Sequence, residues 1–191
     1  MIGYVKGKIK TKWDESVVVE TGGVGYEVFV PDEELEGLKT GQEREFYVWT
    51  YLRQDTLELY GCATPEEMEF FKFLTKISGI GPKIALSLAR YGTPGKLKEI
   101  IEEKGSAFAR QVKGLGSKKM KRLLLELTGK VKEIDKGRLS EKKEAVRALT
   151  NLGFSKDEAE EAVLDAAGDG DDPEKVVEKA LKSLGGNEKG A

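Results

Sequence analysis

The sequence contains no histidine. That removes the commonest general base and the commonest metal ligand. It contains one cysteine, Cys62, so no intrachain disulfide can form, which fits a reducing, cytoplasmic setting. No stretch approaches the roughly 18 consecutive apolar residues of a membrane span. Met1-Ile2-Gly3-Tyr4 leads straight into a strand-like pattern, so neither a membrane anchor nor a signal peptide is expected. There is no Gly-x-x-x-x-Gly-Lys-Ser/Thr phosphate loop, and ATP hydrolysis by this chain is therefore not expected. Nothing in the sequence asks for a metal or a cofactor.

Charge is what the sequence has in quantity. Charged residues are 35% and hydrophobic residues 39% of the 191, enough apolar material for modest cores. Glu and Lys dominate, a composition that suits thermophilic surface ion-pair networks. The overall net charge of −2 conceals a strong division. Residues 1–71 carry 7 basic and 15 acidic side chains, net −8. Residues 72–130 carry 14 basic and 4 acidic, net +10, and residues 131–191 carry 11 and 15, net −4. A basic middle between acidic flanks is an electrostatic footprint for a polyanion, or else a lysine-rich solvated surface.

The expected fold is α+β and multidomain. Short alternating runs fill the first sixty residues: Ile2 to Lys10, Ser16 to Glu20, Tyr26 to Val30, Phe46 to Leu52 and Leu57 to Tyr60. Gly22-Gly23-Val24-Gly25 and Arg53-Gln54-Asp55-Thr56 read as turns, and Pro31 as a stop. Strands so short and close predict a small closed barrel over 1–63. Thr64-Pro65-Glu66-Glu67 then carries the signature of a helix start with a capping box. Helical spacing follows, predicting an all-helical domain over 64–130. Residues 131–138 read as a short charged linker and 139–187 as a three-helix unit. Gly153 and Gly168-Asp169-Gly170 punctuate that unit, and a frayed tail is expected from Gly185.

The helical middle contains an internal repeat. Ile77-Ser78-Gly79-Ile80-Gly81-Pro82-Lys83 recurs as Val112-Lys113-Gly114-Leu115-Gly116-Ser117-Lys118, 35 positions later. Each copy reads apolar-x-Gly-apolar-Gly-x-Lys between two helices. Two glycines permit a tight reversal and close approach of the backbone. The helix that follows begins with unpaired N–H groups and a positive dipole end, which together bind anions. A lysine in its first turn adds a point charge for the same phosphate. The candidate phosphate-binding set is Ser78, Gly79, Ile80, Gly81 and Lys83 in one hairpin. In the other it is Gly114, Leu115, Gly116, Ser117, Lys118 and Lys119, with Arg122 extending the positive face. Contacts of this kind reach the DNA backbone and ignore base sequence. One such turn is commonly structural, whereas two in register within the most basic segment point to nucleic acid.

These residues carry a resemblance. Gly79-Ile80-Gly81-Pro82-Lys83 and Gly114-Leu115-Gly116-Ser117-Lys118 resemble the tandem helix-hairpin-helix of the RuvA family, Holliday junction branch-migration proteins. Met1-Ile2-Gly3, Gly22-Gly23-Val24-Gly25-Tyr26-Glu27-Val28 and Leu59-Tyr60-Gly61 are similar to that family too, so the likeness runs along essentially the whole chain. It implies an oligonucleotide-binding (OB-fold) barrel, a helix-hairpin-helix domain and a C-terminal three-helix unit like a ubiquitin-associated domain. It further implies a homotetramer that holds four-way junctions open in recombination, repair and the SOS response. The hexameric motor RuvB would bind the C-terminal unit, where Leu149, Leu152, Phe154 and Val163 are the candidate contacts. The resolvase RuvC is implied as a further partner.

Members of that family carry two adjacent acids, an acidic pin, at the tip of a barrel hairpin. The corresponding tip here is Gln54-Asp55, weaker by one charge, with Glu58 as a possible substitute. Arg53 beside it would contact a junction strand or balance Asp55. Without the resemblance, Asp55 reads as a solvated turn residue. Lys118-Lys119-Met120-Lys121 stands where the family usually has Lys-Thr-Ala-Glu, a more basic helix start that should raise salt-sensitive affinity. The linker is shorter than in many members, which would limit the swing of the C-terminal unit.

Two other readings stand beside this one. A helix-hairpin-helix nuclease or glycosylase would need a catalytic carboxylate cluster, and the basic middle offers only Glu99, Glu102, Glu103 and Glu126. A protein-interaction adaptor would rest on Asn151-Leu152-Gly153-Phe154, which accounts for the last third alone. Tyr47, Trp49 and Tyr51 alternate along one strand, placed either to stack on bases or to be buried in a core or subunit interface. Burial is the preferred reading. The apolar residues Leu149, Leu152, Phe154, Val163, Val177 and Leu184 are expected to fill the core of the small unit.

Overall fold

In a computed structural model the described residues are 1–166 and 173–186. Gly168-Asp169-Gly170 and residues 187–191 of the expected tail lie outside them. Five strands come first: β1 (Tyr4–Lys12), β2 (Ser16–Thr21), β3 (Val24–Phe29), β4 (Glu43–Arg53) and β5 (Thr56–Cys62). They close into a barrel in the order β1-β2-β3-β5-β4, with β4 returning to β1. The β3–β5 pair is parallel and the others are antiparallel. This is the expected OB-type barrel. Alternation builds it: Val5 and Ile9 of β1 point inward while Lys6, Lys8 and Lys10 stay in water. Val17, Val19, Val28, Phe46, Val48 and Leu59 complete most of the interior.

A short helix, α1 (Asp32–Gly37), connects β3 to β4 where the sequence had suggested only a stop. Its signals are Pro31 at the entry and three acids, Asp32, Glu33 and Glu34, in a first turn that favours negative charge. Leu35 packs from α1 into the barrel core.

The outward face of β4 and β5 is apolar as well. Trp49 meets Phe71 of α2 (Pro65–Thr75) edge-on with ring centres 5.4 Å apart, and Tyr60 stacks on Phe71 at 5.9 Å. Tyr47 and Tyr51, half-buried like Trp49, pack against the same cluster, an arrangement that favours packing over base stacking. Cys62 lies in this seam, its thiol pushed up to about 12 mainly by burial. The expected cap forms in its first half: the Glu67 N–H donates to Thr64 Oγ1 at 3.2 Å, while its carboxylate reaches one residue before the cap. The Glu67 carboxylate in turn accepts from the Ala63 N–H at 3.0 Å. Barrel and hairpin helices thereby make one compact unit, Met1–Gly129.

The helices after α2 are α3 (Pro82–Ala89), α4 (Pro94–Lys104), α5 (Ser106–Gln111), α6 (Ser117–Asn151), α7 (Lys156–Ala166) and α8 (Pro173–Gly186). The expected linker 131–138 is not a separate connector, because it is helical and lies inside the 35-residue α6. No proline interrupts that stretch. Gly129 and Gly137 each weaken a helix by only about 1 kcal/mol relative to Ala, against many strong helix formers around them.

The second compact unit is Lys130–Ala191. Its core uses small residues, Ala145, Ala159, Ala162 and Ala180, with Leu149, Val163 and Val176 between them. Ser155 starts α7 with a reciprocal capping box to Glu158. Leu152 departs from expectation: it sits on the turn before α7 and is 63% exposed, not in the core.

Candidate nucleic-acid interface

The two hairpins are built alike. Gly79 and Gly114 adopt φ of 89° and 84°, the left-handed region that side chains disfavour, so these two positions require glycine. The apolar residues beside them, Ile80 and Leu115, are buried. The Ile80 N–H donates to the Ile77 carbonyl at 2.9 Å, and the Leu115 N–H to the Val112 carbonyl at 3.0 Å. Ile80 and Leu115 are thus corrected as phosphate ligands, since both their side chains and their amides are committed within the turn. The amides of Gly79, Gly81, Gly114 and Gly116 donate to no protein acceptor among the described residues. Gly81 caps α3 without a side-chain bond, so the first-turn amides of Lys83 and Ile84 are also left open.

The hairpins pack reciprocally. A Cβ on Gly114 would lie 3.4 Å from the Ile84 side chain, and a Cβ on Gly79 would lie 3.7 Å from that of Lys119. Ile84 and Lys119 are themselves 35 positions apart, so the repeat exchanges equivalent contacts about a local pseudo-twofold. Lys119 is drawn into this packing and donates its ammonium to the Gly114 carbonyl at 3.0 Å. Arg122 reaches towards the Ser78 carbonyl at 3.5 Å, across to the first hairpin. Around Gly81 and Gly116 there is open space, and neither has positive φ. The first glycine of each hairpin therefore makes the turn, and the second keeps the approach to the amides clear.

Part of the basic charge is spent inside the protein. Lys83 forms an ion pair with Glu15 of the barrel, and Arg90 forms one with Glu33 of α1. Lys113 lies 3.8 Å from Glu15. Lys72, Lys98 and Lys130 pair with nearby glutamates. Lys118, Lys121 and Arg122 have no carboxylate partner among the described residues, and Lys118 and Ser117 are exposed. The three form one group of unpaired cations, and Lys76, Lys96, Lys104 and Arg110 are likewise without an ion pair among the described residues. The +10 of the middle segment overstates what an external polyanion would meet.

The β4–β5 hairpin reaches its last pair at Arg53 and Thr56, leaving Gln54-Asp55 as an exposed two-residue tip. Arg53 is folded back: its Nε donates to the Tyr51 hydroxyl at 2.7 Å and its guanidinium lies 4.8 Å from that ring centre. It makes no ion pair with Asp55. Glu58 accepts from the Tyr60 hydroxyl at 2.7 Å on the face packed towards α2. Burial first, then this bond, pushes the Tyr60 hydroxyl well above its usual range. Glu58 is engaged there rather than at the Gln54-Asp55 tip.

In the small unit, Leu149 and Val163 are fully buried and cannot meet a partner directly. Phe154 is half-buried, and Leu152 is exposed. Among the described residues no group of three or more His, Cys, Asp or Glu side chains is arranged to hold a metal. Glu102 is paired with Lys98 at 2.9 Å.

Similarity to known proteins agrees with this layout. Residues 1–61 match the RuvA N-terminal domain, residues 71–128 a SAM-like helix-hairpin-helix tandem, and residues 140–185 the RuvA C-terminal domain. The chain is 40% identical over 192 residues to the Holliday junction branch migration complex subunit RuvA of Halothermothrix orenii, covering 97% of this chain and 98% of that one. It is 34% identical over 176 residues to the protein of that name from Rickettsia felis, covering 85% and 87%. With that of Acetivibrio thermocellus the identity is 32% over 202 residues, covering 96% and 98%. Barrel, paired hairpins and small helical unit occur in the same order along the matched length, and the chain belongs to the RuvA family.

Proposed function

We propose that this chain is the non-catalytic, DNA-binding subunit of a branch-migration complex. It holds four-way junctions through their phosphates and delivers the arms to an ATP-driven motor, RuvB. The observation that carries the reading is the pair of equivalent hairpins, each with open amides beside a cleared approach. In this role Gly79, Gly81, Gly114 and Gly116 offer backbone donors, and Ser117 and Lys118 strengthen the second site. Backbone contacts of this kind recognise geometry rather than sequence.

The exposed Asp55 serves as the pin at the crossover, where its charge repels phosphates and keeps the strands apart. Gln54 adds a polar group there but no charge. Four copies would surround the junction, with RuvC joining at resolution, in the cytoplasm. The motor would meet the C-terminal unit at Leu152 and the exposed part of Phe154, since Leu149 and Val163 are interior.

A gel shift at moderate salt, comparing four-way, duplex and single-stranded DNA, tests the reading. Marked preference for the junction is expected. Equal affinity for linear duplex would falsify it.

A further inference from the structure

Glu15 has a use that the barrel fold does not require. It lies on the loop joining β1 and β2, and that loop is held firmly. The Trp13 N–H donates to the Ser16 carbonyl at 2.8 Å, and the Val30 N–H to the Glu15 carbonyl at 3.4 Å. The Ser16 hydroxyl donates to Glu27 at 2.8 Å. From this fixed base the Glu15 carboxylate projects between two lysines, one from each hairpin. One oxygen pairs with Lys83 and the other lies 3.8 Å from Lys113. The Lys83 ammonium also sits 5.2 Å from the centre of the Phe29 ring. The hydrogen bond from Lys83 holds the Glu15 carboxyl below its usual range, so it is charged at neutral pH.

A carboxylate bridging two lysines presents what a phosphate presents: two anionic oxygens at one point. Lys83 stands in the first turn of α3, next to the open amides of the first hairpin. A phosphate arriving there meets a lysine that already has an anion. All the groups involved are substantially exposed, so the exchange needs no rearrangement of the core.

On the reading that the hairpins bind phosphate, we infer that Glu15 is an internal exchange partner for Lys83 and Lys113. It holds both lysines while the first hairpin is empty and yields them to a DNA phosphate. When that phosphate leaves, the carboxylate takes the lysines back. The first hairpin consequently grips weakly and contributes little to the salt dependence of binding. One anion replaces another at the lysine, and the cation released from DNA is offset by one gathered at Glu15. Glu15 thus sets affinity without touching DNA.

The experiment is a salt titration of junction binding by the full-length protein, for the unaltered chain and for Glu15→Gln, Glu43→Gln, Lys118→Ala and the double variant Glu15→Gln/Lys83→Ala. Glu43 is an exposed barrel acid away from these lysines, so Glu43→Gln controls for net charge. Glu15→Gln should bind about two- to fivefold more tightly at low salt, the scale of an exposed ion pair. Its log–log salt slope should steepen by about 0.9 for each phosphate contact freed of competition. The double variant should lose most of that gain. Unchanged or weaker binding by Glu15→Gln, or an equal gain in Glu43→Gln, overturns the exchange role. If Lys118→Ala meanwhile flattens the slope, the phosphate reading stands without it. Junction binding by the unaltered chain that ignores salt overturns both.

Discussion

The two hairpins share a backbone and differ in what surrounds it. Their first glycines have the same φ within a few degrees, and their apolar residues are equally buried. The first starts its following helix with Pro82, which has no N–H, and its lysine is engaged by Glu15. The second starts with Ser117, which keeps the amide and adds a hydroxyl. Its Lys118 has no carboxylate partner among the described residues. Duplication of a turn thus preserves geometry without preserving strength. On the proposed reading the second hairpin is the stronger anion site, and the first is moderated from within.

The largest expected effect removes that geometry. Val at Gly79 or Gly114 places a β-branched residue at positive φ, costing about 1–3 kcal/mol of stability and disturbing the reciprocal packing. Both variants should melt earlier and lose junction binding. Equal melting temperatures would mean that the turns tolerate side chains and that the equivalence of the hairpins has been overstated.

Next come Gly81 and Gly116, where a valine has room inside the protein. Here folding should persist while binding falls by about 3 kcal/mol or more, the worth of two hydrogen bonds to a charged group. Gly116→Val should be worse than Gly81→Val. Thermal melting alongside gel shifts separates the two glycine classes; a collapse of stability at Gly116 would merge them.

Smaller effects distinguish the lysines. Lys118→Ala should weaken binding by about 1.5–3 kcal/mol and reduce the salt slope by about 0.9. Lys83→Ala should do less than half as much, because its phosphate contact replaces an existing ion pair. Equal losses in a salt titration would remove the asymmetry. Smallest of all is Pro82→Ser, which returns an amide to the first hairpin and should tighten binding by about 0.5–1.5 kcal/mol. No gain would indicate that this amide does not face the ligand.

The repeat was legible in the sequence because glycine and apolar residues recur at a fixed offset, and local chemistry determines such turns. The barrel was legible because strand alternation and turn residues are local as well. The connector is not legible in this way: a run of charge resembles a linker, yet Lys and Glu are good helix formers, and α6 continues through it. Helix α1 was missed although Pro31-Asp32-Glu33-Glu34 is a helix start, since the run is only one and a half turns long. Ile80 and Leu115 read as phosphate ligands in the sequence, which does not say where an amide is already engaged. The pairing of Glu15 with Lys83 spans 68 positions and leaves no trace in spacing. The return of Arg53 onto Tyr51 is local by contrast, since residues two apart on one strand share a face.

The reciprocal seating of Ile84 on Gly114 and Lys119 on Gly79 has a consequence for measurement. If the two turns bind phosphate as proposed, this locking makes them the jaws of a caliper with a set opening. A nucleic acid would then fit only where two backbone groups lie that distance apart, whatever bases lie between them, and helical form itself would become the quantity that the paired turns gauge.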